Sequence, residues 1–483
     1  VAVGFPHQQG VGGVVDADAA RDAPQAGGVP RVEGRRTHAA AGVERLVVAV
    51  AELALFPVVE DRAGFAGAAR SGVGRNDAVV DGHGFGSADG RRDPAAAEQR
   101  FVNVAVVEDH RALVGVELAP DVKLLKLAVI YGANASGKSN IIKVCDFIRS
   151  FITCTPLNKA ELIKIVPFLL NRTSKEQASE FSVSFYAMNG DKAIRYVYSV
   201  LLETTHIVRE TLIYYLSQQP ATVFERSMEN NVSSIKFGQK VKISTAAKEE
   251  ITLKCLPNMS VFAAYMQVNT NIAEMETALQ YLTKQMMPAI VPTSSLSRYA
   301  EEAIKKETAK EYILRYLQEA DFNISNISSK EQETKKGVVN YTMYQHKVSS
   351  GLGGNDYYEF PELYESDGTI RTFGLASQIQ NSIGSNAFLA VDEIESSLHP
   401  KLIEYMIERF LKESKQAQLL LTTHYDGLLG EEDLLRKDNI WFAEKNTDGA
   451  SVLYPLTDFK GLNRISSLQK AYKFGKFGAV PNL

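Results

Sequence analysis

Residues 127 to 144 read LAVIYGANASGKSNIIKV: an apolar run, a loop of small residues, then an amphipathic stretch. The run Lys123 to Tyr131, KLLKLAVIY, has the continuous apolar character of one buried parallel strand. Beyond the loop, Ile141, Ile142, Cys145, Ile148 and Ile152 fall on one side of a helix. Between them GANASGKS, Gly132 to Ser139, satisfies G-x-x-x-x-G-K-[ST] in full. Glycines let such a backbone close around phosphates, with N–H groups converging at a helix N-terminus whose dipole favours anions. In that geometry Lys138 reaches the β- and γ-phosphates and the Ser139 hydroxyl ligates Mg²⁺. A glycine loop that merely turned a strand into a helix would have no need of Lys138 and Ser139.

Outward from this stretch the composition breaks. Residues 1 to 120 contain no Lys, Ile, Tyr, Met, Cys or Trp, whereas the chain from Lys123 onward is rich in Lys, Ile, Tyr, Ser and Asn. The first 120 residues hold 12 Arg and 16 acidic residues, a net of −4, which equals the formal net charge of the whole chain. The remainder is therefore balanced and gives no bulk support for a surface that coats nucleic acid. In the N-terminal part RLVVAVAELALFPVV (45 to 59) suits a short helix or strand, and RFVNVAVVEDHRALVGVEL (100 to 118) a strand pair. The glycine-rich tracts between them read as turns. This Ala/Gly/Val-rich segment is expected to be disordered or foreign to the rest, a sequence artefact included; an accessory domain is the lesser reading.

At 483 residues the chain can bury a substantial core in two or three domains. Cys145, Cys154 and Cys255 have no metal-ligand spacing and read as reduced structural thiols. No apolar run approaches the ~20 residues that span a membrane, and no secretory leader pattern opens the chain. A cytoplasmic protein without a membrane partner is expected. Past the first helix, EFSVSFYA, AIRYVYSVLLE and HIVRETLIYYL alternate with period two, as antiparallel strands do. Residues 273 to 320 read as largely helical, without the sustained heptads of a coiled-coil arm. The last third returns to α/β alternation, so a parallel sheet is completed by the two ends of the region 121–483, with 215–330 as a helical and β insertion.

AFLAVDEIESSLHP (387 to 400) carries Asp392 and Glu393 to the C-terminal end of a buried strand, where ligands bind in open α/β sheets. There Asp392 suits a Mg²⁺ ligand acting through water, and Glu393 a base that orients an attacking water. QLLLTTHYD ends another strand near His424, which is either structural or a hydrogen-bonding group for the γ-phosphate or that water. In ELYESDGTIRTFGLA (362 to 376), Ser366 and Gly368 stand at a helix start. They either cap it or present hydroxyl and N–H groups to a second nucleotide across a dimer interface. Their place in the chain favours the second reading.

Together these motifs resemble an ATPase of the ABC/SMC/RecF type. More closely, KLAVIYGANASGKSN, PFLL (167 to 170), ESDGTIRTF, VDEIESSLHPKLIE, QLLLTTH, DNIWFAEK (438 to 445) and YKFGKFGAVPNL resemble the RloA-like, abortive-infection family of AAA ATPases. The resemblance covers most of 122 to 483. It implies an ATPase head with an antiparallel β lobe, and two heads that face each other. Gly132, Ala133, Asn134, Ala135, Ser136, Gly137, Lys138, Ser139 and Asn140 would bind ATP, with Ser139 and Asp392 on Mg²⁺. Glu393 would be the catalytic base, His424 the switch histidine, and Ser366 with Gly368 the signature acting on the partner's nucleotide. A strand pair of the form RFSVENF-x-SF, usual at the start of this family, is absent here, and no Q-loop glutamine is identified.

The expected function is an ATP-hydrolysing homodimer that takes part in anti-phage defence and controls a nuclease-like effector encoded nearby. No fused nuclease motif follows the ATPase motifs. The alternatives are a RecF- or SMC-like ATPase that binds DNA in repair, and an ATP-gated scaffold with little turnover. A long coiled coil or a basic face between lobes would favour the first, and the sequence has neither.

Overall fold

The computed structural model describes residues 53–54, 115–119, 122–170, 174, 177–190, 192–217, 219–229, 232–320, 322–334, 337–349 and 354–481. Most of the first 120 residues, including nearly all of the two stretches read above as strand or helix, lie outside these. The described exceptions there are β1 (Leu53–Ala54) and β2 (Gly115–Ala119), followed by β3 (Val122–Leu125), β4 (Leu127–Tyr131) and α1 (Lys138–Phe151). Five strands come next: β5 (Ser179–Asn189), β6 (Lys192–Leu202), β7 (Ile207–Tyr215), β8 (Ala221–Glu229) and β9 (Val232–Phe237). A helical stretch holds α2 (Thr245–Lys254), α3 (Val261–Tyr265), α4 (Ala273–Gln280), α5 (Ser297–Ala303) and α6 (Glu307–Glu319). Then come β10 (Ile324–Thr334), β11 (Gly337–Ser349), β12 (Asn355–Pro361), α7 (Asp367–Ser385), β13 (Phe388–Val391) and α8 (Pro400–Glu413). The chain closes with β14 (Gln418–Thr423), β15 (Ile440–Lys445), β16 (Ser451–Pro455) and α9 (Leu468–Lys473).

The sheet that positions the site runs β13-β14-β4-β15-β16, parallel except for the last pair. β4 lies at its centre, between strands that follow it by nearly 300 residues of chain. Side chains alternate across the sheet. Ile130, Phe388, Ala390 and Leu420 join one apolar core, and Val129, Tyr131, Leu389, Val391, Leu419 and Leu421 join the other. Both faces are therefore covered, which explains strands that are apolar throughout rather than alternating. On the first face α1 buries Ile141, Ile142, Cys145 and Ile148, with Ile152 just beyond its end, against the antiparallel lobe. On the second, α7 and α8 contribute Phe373, Ile379, Ile403, Met406 and Phe410. Each such buried side chain is worth about 1.5–3 kcal/mol relative to exposure.

The run KLLKLAVIY is not one strand. It breaks at Lys126, so that β3 pairs antiparallel with β2 while β4 enters the parallel sheet. Lys126 turns inward, and its ammonium donates to the carbonyls of Leu411 (3.2 Å) and Ser414 (2.5 Å) at the C-terminal end of α8. That end is where a cation meets unpaired carbonyls and the negative pole of the helix. The stretch 273 to 320 is likewise not helical throughout. Met286 and Ile290 form parallel bridges to Phe388 and Val391, so residues 286–291 run along the outer side of β13. Pro288 disfavours helix there, because it has no N–H and pushes the preceding residue toward extended backbone.

The antiparallel lobe has the order β1-β5-β6-β7-β8-β9, with only the short edge strand β1 pairing parallel. At its centre Arg226 and Glu210 are fully buried as a pair, 3.5 Å apart. Arg226 also donates to the carbonyls of Met259, Leu256 and Pro257, and Glu210 accepts from Tyr198 Oη at 2.9 Å. Partners for both terminal guanidinium nitrogens and for the carboxylate make this buried pair tolerable. A third sheet, β10-β11-β12, leads directly into α7.

Candidate phosphate-binding site

The loop after β4 takes its shape from its smallest residues. Gly137 has φ of 103°, and Ala135 is held at φ 60°, in the left-handed region. A side chain at Gly137 would meet Ser451 Oγ at 2.0 Å, because β16 begins directly against the loop. At Gly132 a Cβ would lie 2.4 Å from the Ala443 carbonyl of β15. Both glycines are thus required by close approach to neighbouring strands. Asn134 and Ala135 face solvent at the crest, while Asn140 N–H donates to the Gly137 carbonyl at 3.0 Å to start α1.

Lys138 is almost wholly withdrawn from solvent. Its ammonium donates to the carbonyls of Gly132 (2.8 Å) and Ala133 (3.1 Å), and lies 3.1 Å from His424 Nε2. Burial lowers its pKa, while the carboxylates of Glu393, Glu395 and Asp392 act in the opposite sense. His424 also has a lowered pKa, first through burial and then through the Lys138 charge, with the same three carboxylates opposing. The ring is therefore neutral at pH 7, which assigns Nε2 as acceptor and places the ring proton on Nδ1. All three N–H bonds of the ammonium then have partners supplied by the protein.

The acidic strand end is built by cross-strand hydrogen bonds. Asp392 N–H donates to Ile290 O (2.7 Å), and the buried Asp392 carboxylate accepts from Thr422 Oγ1 (2.5 Å). The same Thr422 hydroxyl accepts from Glu393 N–H at 2.9 Å. Glu393 is itself held at φ 46°. A non-glycine residue in that region costs of order 1–3 kcal/mol and persists where its surroundings over-determine it, a pattern concentrated at functional sites. Two residues on, Glu395 accepts from Thr423 Oγ1 (2.7 Å) and from His424 N–H (2.5 Å).

Ser366 and Gly368 sit elsewhere in the network. Ser366 caps α7, its Oγ accepting from Thr369 N–H at 3.0 Å and lying 2.8 Å from Thr369 Oγ1. A Cβ at Gly368 would lie 3.1 Å from Ser397 O, so the start of α7 packs on the turn that follows Glu395. The capping interaction is therefore present in the single chain. Just before it, Leu363 and Tyr364 are 87% and 73% exposed.

Sequence reading assigned no role to Glu395, Thr422, Thr423 or Ser451. The signal was present in DEIE and TTH, but which hydroxyl faces which carboxylate depends on the register of β13 against β14. Among the described residues no group of three or more His, Cys, Asp or Glu side chains could hold a metal by itself, so Mg²⁺ here would need substrate oxygens as well. A hydroxyl at Ser139 and a carboxylate at Asp392 are hard oxygen ligands, few in number, of the kind that bind this ion together with substrate phosphates.

A central parallel strand, a phosphate loop opening a helix and an acidic strand end beside it define a P-loop ATPase-type head. Residues 127–430 match the family model described as "AAA domain, putative AbiEii toxin, Type IV TA system". That is more than half of the 483 residues, and the chain belongs to this family. No curated protein is matched by the chain. Among solved structures, an SMC head bound to the C-winged helix domain of ScpA is similar at 14% identity and TM-score 0.30, over 70% of this chain and 94% of that one. The SMC head domain from Thermotoga maritima shares 14% identity at TM-score 0.30, over 68% of this chain and 89% of its own. An SMC head from Pyrococcus furiosus, bound to the C-terminal domain of ScpA, shares 13% at TM-score 0.30, over 75% and 97%. At that TM-score these likenesses add nothing to the family membership. Among the described residues no helix is long and apolar enough to cross a membrane.

Proposed function

We propose that this chain binds and hydrolyses ATP as one head of a cytoplasmic homodimer, and that it controls a nuclease-like effector in abortive infection. The observation that carries the hydrolytic reading is the contact between Lys138 and His424, with Asp392 and Glu393 fixed beside them. ATP entering the loop exchanges its β- and γ-phosphate oxygens for the carbonyls that now hold the Lys138 ammonium. Ser139 and Asp392 would hold Mg²⁺, whose charge would offset that of the β- and γ-phosphates. Glu393 orients water in line with the γ-phosphate and takes its proton, and His424, released from Lys138 and with its ring proton moved from Nδ1 to Nε2, donates a hydrogen bond to the γ-phosphate. Ser366 and Gly368 contribute to the partner's nucleotide, a reading supported by exposed apolar residues at Leu363 and Tyr364 beside them. The toxin–antitoxin description of the family supports the defence role.

Glu393→Gln keeps the shape of the acidic strand end and removes the base. The expected result is retained ATP binding, turnover reduced about 100-fold or more, and an ATP-dependent dimer visible by size-exclusion chromatography with light scattering. Undiminished turnover would remove Glu393 from the mechanism. Wild-type protein that binds ATP without hydrolysing it would replace this reading with that of an ATP-gated scaffold.

A further inference from the structure

His424 is the first residue beyond β14, at the mouth of the site, where a strand end is free to fray. Yet its backbone is anchored from the turn that follows the neighbouring strand β13. One Glu395 oxygen accepts the His424 N–H at 2.5 Å, and the other accepts the Thr423 hydroxyl at 2.7 Å. The Thr423 hydroxyl in turn accepts from Tyr425 N–H at 2.9 Å. Three consecutive residues, 423 to 425, are thereby tied to a single carboxylate.

The carboxylate is itself well placed. Glu395 lies in the turn after Asp392 and Glu393, whose backbone is secured by Ile394 N–H donating to Thr422 O at 3.1 Å and by Ser396 N–H donating to Glu393 O at 2.9 Å. Thr422 and Thr423 divide the work by strand alternation. One hydroxyl pins the pair Asp392 and Glu393, and the next pins Glu395.

We infer that Glu395 is a positioning residue: its carboxylate sets the height and direction of the His424 ring over the phosphate loop. The inference rests on the hydrolytic reading of the site but names a residue outside its chemistry. Glu395 has both oxygens engaged by the 423–424 backbone and hydroxyl, so it acts through His424 rather than on the nucleotide. Because a displacement of about 1 Å in a catalytic group can cost about 100-fold in rate, loss of this anchor is expected to show in kcat. Affinity for ATP depends mainly on the loop of residues 132–139 and is expected to hold.

The conservative variant Glu395→Gln separates position from charge. Its side-chain amide keeps an oxygen for His424 N–H and turns its NH₂ toward the Thr423 hydroxyl, which can accept it. The experiment compares wild type, Glu395→Ala, Glu395→Gln and Thr423→Val in steady-state ATP hydrolysis, in equilibrium binding of a fluorescent ATP analogue, and by the NMR resonances of the His424 ring at fixed pH. Glu395→Ala is expected to lower kcat by about tenfold or more, change KM and analogue binding little, and shift or broaden the His424 resonances. Glu395→Gln is expected to recover the larger part of kcat and a single His424 environment, with Thr423→Val intermediate. Glu395→Ala with wild-type kcat and unmoved His424 resonances overturns the inference, as does Glu395→Gln behaving like the Ala variant. If wild type binds ATP without turnover, the hydrolytic reading fails by itself, and the His424 resonances still decide whether Glu395 sets the ring.

Discussion

The Lys138 ammonium and His424 Nε2 lie 3.1 Å apart although 286 positions separate them in the chain. The contact exists because β14 is the immediate neighbour of β4, with Thr423 opposite Tyr131, so both residues leave the sheet at the same edge. The phosphate loop is thus closed by its own lysine and by the far end of the chain.

Replacing Lys138 with Met tests this closure from both sides. Lys138→Met is expected to abolish measurable ATP binding, since it removes the cation aimed at the phosphates. It also removes the second cause of the lowered His424 pKa. The His424 titration, followed by NMR, is expected to move upward, because the lysine charge that lowers it is gone while the carboxylates that raise it remain. An unmoved titration would show that the ring does not sense Lys138.

The pH dependence has a definite sign. Since the folded state depresses the His424 pKa, the unfolded chain takes up the proton first as the pH falls below about 6.5. The stabilising contribution of the neutral ring is full above that value and is lost as pH falls through the lower folded value. His424 is only partly withdrawn from solvent, so the effect on global stability is small and ATP binding is the better measure. Binding is expected to be insensitive to His424 between pH 8 and about 6.5 and to respond below. His424→Gln should abolish that acid response, and an unchanged pH profile in this variant would contradict the assignment.

The two loop glycines should fail differently when given a methyl group. Gly132→Ala meets the backbone carbonyl of Ala443, which cannot yield without moving β15, and a loss of about 1–3 kcal/mol is expected. Gly137→Ala meets the Ser451 hydroxyl and also the left-handed backbone, the latter worth about 1–3 kcal/mol. Combining Gly137→Ala with Ser451→Gly should restore the steric part and leave the backbone part. Thermal unfolding of the single and double variants distinguishes the two. Full recovery in the double variant would show that the backbone conformation costs nothing.

In the antiparallel lobe, Arg226→Ala leaves Glu210 buried without its cation and strands the carbonyls of Met259, Leu256 and Pro257. A loss of about 3–5 kcal/mol is expected in urea unfolding. The double variant Arg226→Met with Glu210→Leu should be less destabilised than Arg226→Ala, because no buried charge remains. A double variant as unstable as the single one would show that packing, not charge, dominates there.

Much of the site was legible in the residues. GANASGKS with an apolar run before it and an isoleucine-rich helix after it needs only local geometry to be read, because a phosphate loop is formed by contiguous backbone. The apolar strands of AFLAV and QLLL were legible for the same reason, being covered on both faces. The break at Lys126 was not legible, since a lysine inside an apolar run shows its purpose only when the end of α8 arrives beside it. Nor was the extended stretch 286–291, whose hydrogen bonds are made to β13, about 100 residues away.

The sequence by itself determined the chemistry available at the edge of the sheet: one ammonium, a hydroxyl, carboxylates and an imidazole, each at a strand end or helix start. Only the tertiary structure decided their pairing. Strand order placed β14 beside β4, register put Thr422 against Asp392 and Thr423 against Glu395, and burial withdrew Lys138 from water next to a neutral His424. Spacing along a chain fixes which residue types can act. The low-dielectric contact that couples them arises only when distant strands share one sheet.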